Sequence, residues 1–383
     1  MKPIIKINFV DFWPGFKKED NYFTNLLSDH YQIELTDKPD FLFFSVYGHE
    51  YTSYDCVRVF YTPEKKRPNF YECDFAFSFD YEDYGKRNFR LPNYVECAEP
   101  ESLIKDNLDI NKIFSQKIKF CNFVVSNVNC KERIEFFQKL SHYKKVDSGG
   151  RVFNNVGGPV KDKLAFIKDY KFTIAFENCF FPGYTTEKLL EPMLCHSLPI
   201  YWGNPFVYRD FNTKSFINCH DFKNFDEVIE RIIEIDNNDE LYKKYLSEPY
   251  FNNTDSPYMD KEKILKQFAY IFSRKDKIRP VARTWKKIGF YSLSNLSYFA
   301  KASFNGGFNA VFLDEELKSK KLACYLGAPR CYLKKILINI PGVICNLFNR
   351  REFMKSWRNI FFHIGMIMSY RRGFQLMGQA REV

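Results

Sequence analysis

The segment at residues 171–203, KFTIAFENCFFPGYTTEKLLEPMLCHSLPIYWG, is the most informative part of the chain. Residues 172–176 form an apolar run with the length of a buried strand, and residues 198–202 form a second one. Residues 186–196, between these runs, have the pattern of an amphipathic helix. A strand, a helix and a second strand in this order predict two parallel strands joined by a helical crossover, as in an α/β sheet.

The polar residues of this segment follow the first strand and open the helix. Glu177 and Asn178 stand at the carboxyl end of the strand, where ligands bind in open α/β sheets. Gly183 permits a tight turn, and the helix from Thr186 offers free N–H groups and a positive dipole end, to which Lys188 adds a cation. A diphosphate-shaped anion fits this arrangement, but a helix that is merely capped would show the same pattern. Neither G-x-x-x-x-G-K-[ST] nor G-x-G-x-x-G is present.

Strands and helices alternate outward from this segment over most of the chain. The strand-like runs are at residues 4–10, 40–46, 57–62, 75–79 and 120–126, and further helical patterns are at 22–27, 101–107, 131–143 and 226–235. Such alternation implies parallel sheets covered on both faces. We therefore predict an α/β protein with two Rossmann-like lobes facing a cleft, an N-terminal lobe at residues 1–115 and a C-terminal lobe at 116–274.

A basic tail, residues 275–383, follows the two lobes. Within it, residues 278–383 contain 18 of the 57 Lys and Arg but 5 of the 47 Asp and Glu, which gives +13 and leaves −3 for the rest of the chain. Apolar and basic clusters alternate there in helical patterns, for example at 334–349 and 353–370. We expect a helical tail that lies on an anionic membrane surface, where each Lys or Arg contributes about 1 kcal/mol.

Two other interpretations of the tail use the same charge. An ordinary solvated helical appendix has a similar composition, and a nucleic acid would also attract these cations. The first 277 residues carry none of the common nucleic-acid-binding motifs, so we expect no nucleic-acid partner.

Composition excludes several other classes of protein. The 383 residues are 45% hydrophobic, with 17 Gly and 17 Pro, which is far from a disordered or collagen-like chain. The 11 cysteines include no C-x-x-C pair, so neither a disulfide framework nor a structural zinc site is indicated. The first residues lack the apolar core of a signal peptide, and no apolar run is long enough to span a bilayer. We expect a cytoplasmic protein that is peripheral on the inner face of the cell membrane.

Five motifs carry a family resemblance: FEN at 176–178, GYTTEK at 183–188, PIYWG at 199–203, RVFYTPE at 58–64 and FVVSNVNCKER at 123–133. Together they resemble the α1,3-fucosyltransferase family, especially its bacterial members. The resemblance covers about residues 1–274 and not the tail. It implies the two-lobed GT-B fold, binding of GDP-fucose in the C-terminal lobe, inversion of the anomeric centre, no cofactor and no metal at the donor.

The resemblance also implies a catalytic base. Glu64 ends RVFYTPE after a predicted strand, where the family places a carboxylate that faces the cleft from the N-terminal lobe. A general base must lie within hydrogen-bond reach of the acceptor hydroxyl. The alternative is an exposed loop glutamate with no catalytic part.

The resemblance assigns the donor site to residues on the C-terminal lobe. Arg133 and Lys188 match the two cations that contact the diphosphate in the family, although Arg133 could instead be a surface residue of its helix. The other matching positions are Asn178, Tyr184 and Glu187, whose polar groups can bond nucleotide or sugar hydroxyls. We rank Glu177 below these residues, because a carboxylate beside phosphates is unfavourable unless it meets hydroxyls or a cation.

The predicted activity is transfer of L-fucose from GDP-fucose to the 3-hydroxyl of N-acetylglucosamine in a glycan such as a lipopolysaccharide or a lipid-linked chain. The partners are thus GDP-fucose, a glycan acceptor and an anionic membrane through residues 278–383. Two alternatives stay open at this stage. One is a transferase of the same architecture with another nucleotide-sugar donor, and the other is a non-catalytic scaffold that the tail recruits to membranes.

Overall fold

The computed structural model describes residues 2–98, 100–105, 108–252 and 258–282. It contains two separate β-sheets in which all neighbouring strands are parallel. The predicted α/β architecture with two lobes is confirmed. Most of the predicted tail, residues 283–383, lies outside the described residues.

The first sheet has six strands in the order β2-β1-β3-β4-β5-β6. They are β1 (Ile4–Val10), β2 (Gln32–Leu35), β3 (Phe41–Phe44), β4 (Val57–Tyr61), β5 (Phe75–Ser78) and β6 (Asn88–Arg90), and helix α1 (Tyr22–Ser28) follows β1. Strands β3, β4 and β5 are buried throughout because layers cover both faces of the sheet. Since β1 lies between β2 and β3, the strand order reverses there, and the loops after β1 and β3 meet at a crevice.

The second sheet has five strands in the order β11-β10-β9-β7-β8. In chain order its elements are α2 (Ile110–Ser115), β7 (Lys119–Phe123), α3 (Lys131–Tyr143), β8 (Val146–Ser148), α4 (Lys163–Ile167), β9 (Tyr170–Phe176), α5 (Glu187–Leu194), β10 (Leu198–Trp202), β11 (Ile217–Asn218), α6 (Phe225–Asp236) and α7 (Asp239–Ser247). The order reverses between β7 and β9. The loops after these two strands are therefore expected to form a ligand crevice.

A last helix, α8 (Lys261–Phe272), returns to the first sheet. The Phe268 ring lies 4.5 Å from the ring of Phe77, and the Phe272 ring lies 4.8 Å from that of Phe41. Ile264 and Ile271 are also fully buried on this face, and each such side chain contributes about 1.5–3 kcal/mol by burial. Residues 261–272, which we placed with the second lobe, thus pack against the first.

Helix α5 connects the two lobes. Its buried side chains Leu189, Leu190 and Met193 belong to the same apolar cluster as Tyr94 and Leu103 of the first lobe. Pro192 lies inside the helix, and the helix ends at Leu194, two residues before the predicted end. The start of α5 is consequently held from both lobes.

Candidate functional site

The polar residues predicted for the donor site lie at the reversal point of the second sheet. Glu177 directly follows β9 and is fully buried. Its carboxylate accepts hydrogen bonds from the backbone N–H of Thr186 at 2.7 Å and from the Thr186 hydroxyl at 2.8 Å. Burial raises the pKa of Glu177, although the charge of Lys188 and the bonds from Thr186 oppose this shift. Glu177 therefore fixes the first turn of α5 to the end of β9.

Lys188 places its ammonium group in that first turn. Its Nζ lies 3.1 Å from Glu187 Oε1, 3.1 Å from Thr186 Oγ1 and 3.5 Å from Glu177 Oε2. Burial acts to lower the pKa of Lys188, but the two carboxylates outweigh burial and raise it. The same ammonium outweighs burial at Glu187 and lowers the pKa of that carboxyl. The start of α5 thus presents a cation at the positive end of the helix dipole. The N–H groups of residues 186–188 are not free as the sequence predicted, since they donate to side-chain oxygens of Glu177, Asn93 and Thr186.

Arg133 joins the end of β7 to the end of β9. Its side chain projects from α3, is buried, and donates to Asn127 O at 2.7 Å, Phe176 O at 3.3 Å and Asn178 Oδ1 at 3.0 Å. The alternative that Arg133 is a surface residue is wrong. Its buried Nε–H has no hydrogen-bond partner in the part of the chain that the structure describes, and a buried donor in that state costs about 1–3 kcal/mol. Burial lowers the pKa of Arg133.

Tyr184 lies between the lobes. Its ring contacts that of Phe79, from the end of β5, with the ring centres 5.4 Å apart. Burial raises the pKa of Tyr184, and the charges of Glu177, Glu64 and Glu187 add to this effect. Because Glu64 comes from the first lobe and the other two from the second, carboxylates of both lobes act on one phenol.

Glu64 stands on the loop after β4, exposed to solvent. Its Oε1 accepts a hydrogen bond from the Tyr47 hydroxyl at 2.9 Å. The loop then crosses to the donor side, where Arg67 donates to Pro182 O at 3.2 Å and lies 5.2 Å from the centre of the Phe181 ring. The structure therefore brings Glu64 to the loop that leads into Tyr184, while its role as a base stays a prediction.

A buried ionic junction, which the sequence analysis missed, fixes this arrangement. Arg90, at the end of β6, pairs with Asp210 and donates to Phe79 O and, at 3.2 Å, to Gly183 O. Its guanidinium stacks on the ring of Tyr81 at 3.8 Å. Arg90 and its partners Gly183 and Asp210 are separated by 93 and 120 residues, so no local pattern marks the junction.

Substitution of Gly183 by alanine is expected to destabilise the protein. Gly183 has φ +89°, and a Cβ atom there would lie 2.7 Å from Phe79 O. We expect a loss of about 2–5 kcal/mol, since a left-handed non-glycine residue costs about 1–2 kcal/mol and overpacking about 1–3 kcal/mol. Urea unfolding of the purified variant measures this loss.

Gly157→Ala is the matched control for this substitution. Gly157 has the same φ of +89°, but a Cβ atom there would meet nothing within 4 Å. It isolates the backbone strain, so Gly183→Ala should be the less stable variant by the cost of the clash. Equal unfolding midpoints would contradict the close approach of the two lobes at Gly183.

Among the described residues, no group of three or more His, Cys, Asp and Glu side chains is arranged to hold a metal ion. Also within that part of the chain, no helix is long and apolar enough to cross a membrane. The absence of a required cofactor or metal stays a prediction.

Comparison with known proteins gives two adjacent family matches. The family model of the alpha-(1,3)-fucosyltransferase FucT N-terminal domain matches residues 7–96. The model of the glycosyltransferase family 10 (fucosyltransferase) C-terminal part matches residues 114–268. These two ranges cover most of the first lobe and most of the second.

Individual relatives agree with these matches. The alpha-(1,3)-fucosyltransferase FucT of Helicobacter pylori is 34% identical over 296 residues, which span 66% of this chain and 62% of that protein. A putative fucosyltransferase of Acanthamoeba polyphaga mimivirus is 37% identical over 165 residues, or 39% of this chain and 27% of that one. The crystal structure of an alpha1,3-fucosyltransferase with GDP-fucose superposes with a TM-score of 0.63 at 32% identity, and covers 73% of this chain and 93% of that chain.

The two facing parallel-sheet lobes, with a cationic site at the reversal point of the second, define a glycosyltransferase of the GT-B type. Within that class the two family models match one lobe each, the first lobe at residues 7–96 and the second at residues 114–268. The chain belongs to the α1,3-fucosyltransferases of glycosyltransferase family 10.

Proposed function

We propose that this chain transfers L-fucose from GDP-fucose to the 3-hydroxyl of an N-acetylglucosamine residue in a glycan, with inversion at the anomeric carbon. The observation that carries the proposal is the placement of Glu64 and Lys188. They come from different lobes, and the loop that contains Glu64 contacts the loop that leads into α5. A single displacement needs a base on one side of the anomeric carbon and a leaving-group site on the other. Inverting glycosidases have the same arrangement.

The proposed step is one substitution at the anomeric carbon. The acceptor oxygen attacks this carbon, its proton passes to the carboxylate of Glu64, and the bond from the carbon to the β-phosphate oxygen breaks. The departing GDP carries the electron pair of that bond. Because the leaving group is already a weak base, the main requirement is to neutralise its growing charge.

The residues of the second lobe suit that requirement. Lys188 keeps its proton, and the dipole of α5 adds a positive potential at the same end of the helix. Arg133 retains one buried donor, Nε, that has no partner within the described residues, and its Nη1 holds Asn178, which is exposed. Glu187 and Tyr184 border the same first turn, where a carboxylate and a phenol can bond sugar or nucleotide hydroxyls.

A transfer assay tests the function as a whole. The purified full chain is incubated with GDP-fucose and a panel of glycans, and the products are analysed by mass and by linkage. We expect a gain of one deoxyhexose, in α1,3 linkage, on acceptors that contain N-acetylglucosamine. Competition by GDP but not by UDP is expected; the reverse would indicate another nucleotide-sugar donor.

We further propose that the basic tail holds the enzyme on an anionic membrane, which suits a lipid-linked or lipopolysaccharide acceptor and a position on the inner face. The first residues of the predicted tail, 275–282, pack on the lobes. The Val281 N–H donates to Asp74 Oδ1 at 2.9 Å and Ala282 is buried, so residues up to 282 belong to the folded lobes.

Truncation after Ala282 is expected to release the protein from vesicles that contain phosphatidylserine. The truncated chain loses 17 Lys and Arg with 5 Asp and Glu, so its net charge changes from +10 to −2, and each basic residue at the surface contributes about 1 kcal/mol to binding. Vesicle sedimentation measures the release, and neutral vesicles provide the control. Transfer to a soluble acceptor should persist. Equal binding of the full and truncated chains would contradict the proposal.

A further inference from the structure

The hydrogen bond between Tyr47 and Glu64 engages only one carboxylate oxygen. Tyr47 donates to Oε1 at 2.9 Å, and within the described residues Oε2 has no hydrogen bond from the protein. The backbone around Glu64 is tight, since its N–H donates to Thr62 Oγ1 at 3.1 Å and its carbonyl accepts from the Lys66 N–H at 2.7 Å. The loop thus fixes the backbone of Glu64, and Tyr47 fixes the end of its side chain.

Tyr47 is itself held by the end of β1. Its N–H donates to Asp11 O at 3.0 Å, and the Asp11 carboxylate accepts from the N–H groups of Glu50 and Tyr51 at 2.9 Å each. Asp11 has φ 60°, a left-handed conformation that its side-chain bonds stabilise here. The backbone at Gly48 lies directly against the Asp11 carboxylate. A Cβ atom at this position would lie 2.2 Å from Asp11 Oδ1, so a larger residue would clash there. The loop that carries Tyr47 is therefore anchored independently of Glu64.

Tyr47 also lies at the edge of the first sheet where a ligand crevice is expected. It follows β3, and the aromatic residues after β1 meet it at the reversal point of that sheet, with the Trp13 ring 6.4 Å away, edge to face. Burial, together with the bond and charge of Glu64, raises the pKa of Tyr47 to about 12. The hydroxyl consequently stays protonated, and stays a donor, through the neutral range.

We infer that Tyr47 is a positioning residue that holds Glu64 by Oε1 and leaves Oε2 to receive the proton of the acceptor hydroxyl. The inference rests on the proposed function, in which Glu64 is the base. An exposed glutamate otherwise samples many rotamers, and general-base catalysis requires the carboxylate within hydrogen-bond reach of the attacking oxygen. The hydrogen bond from Tyr47 restricts the rotamers of Glu64.

Tyr47→Phe tests the inference, because it removes the hydroxyl and keeps the ring against Trp13. We expect kcat for transfer to fall about tenfold, as for the loss of one hydrogen bond to a charged group, with KM for GDP-fucose unchanged. The same substitution is then made in the Glu64→Gln variant. It should have almost no further effect there, since a positioning residue acts only through the group that it positions.

Tyr54→Phe is the matched control, since the Tyr54 hydroxyl donates to Glu50 Oε1 at 3.3 Å in the neighbouring loop. It should leave kcat unchanged. If Glu64→Gln abolishes transfer while Tyr47→Phe does not lower kcat, the inference is overturned and the proposed function stands. Equal losses from Tyr47→Phe with and without Glu64 would also overturn it. Full activity of Glu64→Gln would instead reject the proposed function.

Discussion

Replacement of Glu64 by glutamine is expected to lower the turnover of fucosyl transfer by about 10²-fold or more while GDP-fucose binding stays nearly unchanged. Glutamine keeps the size of the side chain and can still accept the bond from Tyr47, but it cannot take a proton from the acceptor hydroxyl. Loss of a general base typically costs 10²–10⁴-fold. Steady-state kinetics of transfer, with calorimetric titration of GDP-fucose, measures both quantities.

The control for this experiment is Glu50→Gln. Glu50 is exposed on the same lobe and also accepts a bond from a tyrosine, so its replacement changes the lobe's charge equally. Turnover of that variant should match the unmodified chain. A large loss of donor affinity in Glu64→Gln with intact turnover would show that Glu64 binds the donor and is not the base.

How well the sequence predicts each element depends on how far apart along the chain the residues that determine it lie. Strand β10 and helix α3 lie at their predicted bounds, because apolar periodicity within one segment determines them. Strand β2 was missed since it is an edge strand with exposed residues, and β6 because it has only three residues. The return of α8 to the first sheet could not be predicted, since its partners Phe41 and Phe77 lie near the other end of the chain.

The candidate site shows the same division. Glu177, Thr186 and Lys188 lie within twelve residues, and a strand–turn–helix pattern was enough to bring them together. Their relation to Glu64 depends on Arg67 and Arg90, whose partners come from the opposite lobe. These long-range bonds fix the position of the loop that carries Glu64 relative to the loop that leads into α5. From the sequence, only the family resemblance indicated that these two loops lie close together.

Replacement of Lys188 by methionine is expected to affect both stability and donor binding. Methionine preserves the apolar stem but leaves the fully buried carboxylate of Glu177 without its cation. Breaking a buried pair in this way typically costs about 3–5 kcal/mol, and the lower end applies here because Thr186 still donates to Glu177. Loss of a cation that faces a diphosphate should also weaken GDP binding, by about 10–100-fold.

The pH dependence of this loss has a definite sign. The pKa of Glu177 is already raised by burial, and removal of Lys188, which lowers it, must raise it further. A carboxyl whose pKa is higher in the folded than in the unfolded protein favours folding below its unfolded value, near 4.3, and this contribution is lost as the pH rises through the folded value. Urea unfolding should therefore show a larger deficit for Lys188→Met at pH 8 than at pH 5.

The double variant Glu177→Gln with Lys188→Met separates the two roles of Lys188. A neutral amide can accept from the Thr186 N–H and donate to its hydroxyl, so the buried charge is removed and most of the stability should return. The affinity for GDP should not return, because the cation is still missing from the first turn of α5. If stability and GDP affinity recover together, Lys188 serves only to neutralise Glu177, and the predicted donor site must lie elsewhere on the cleft.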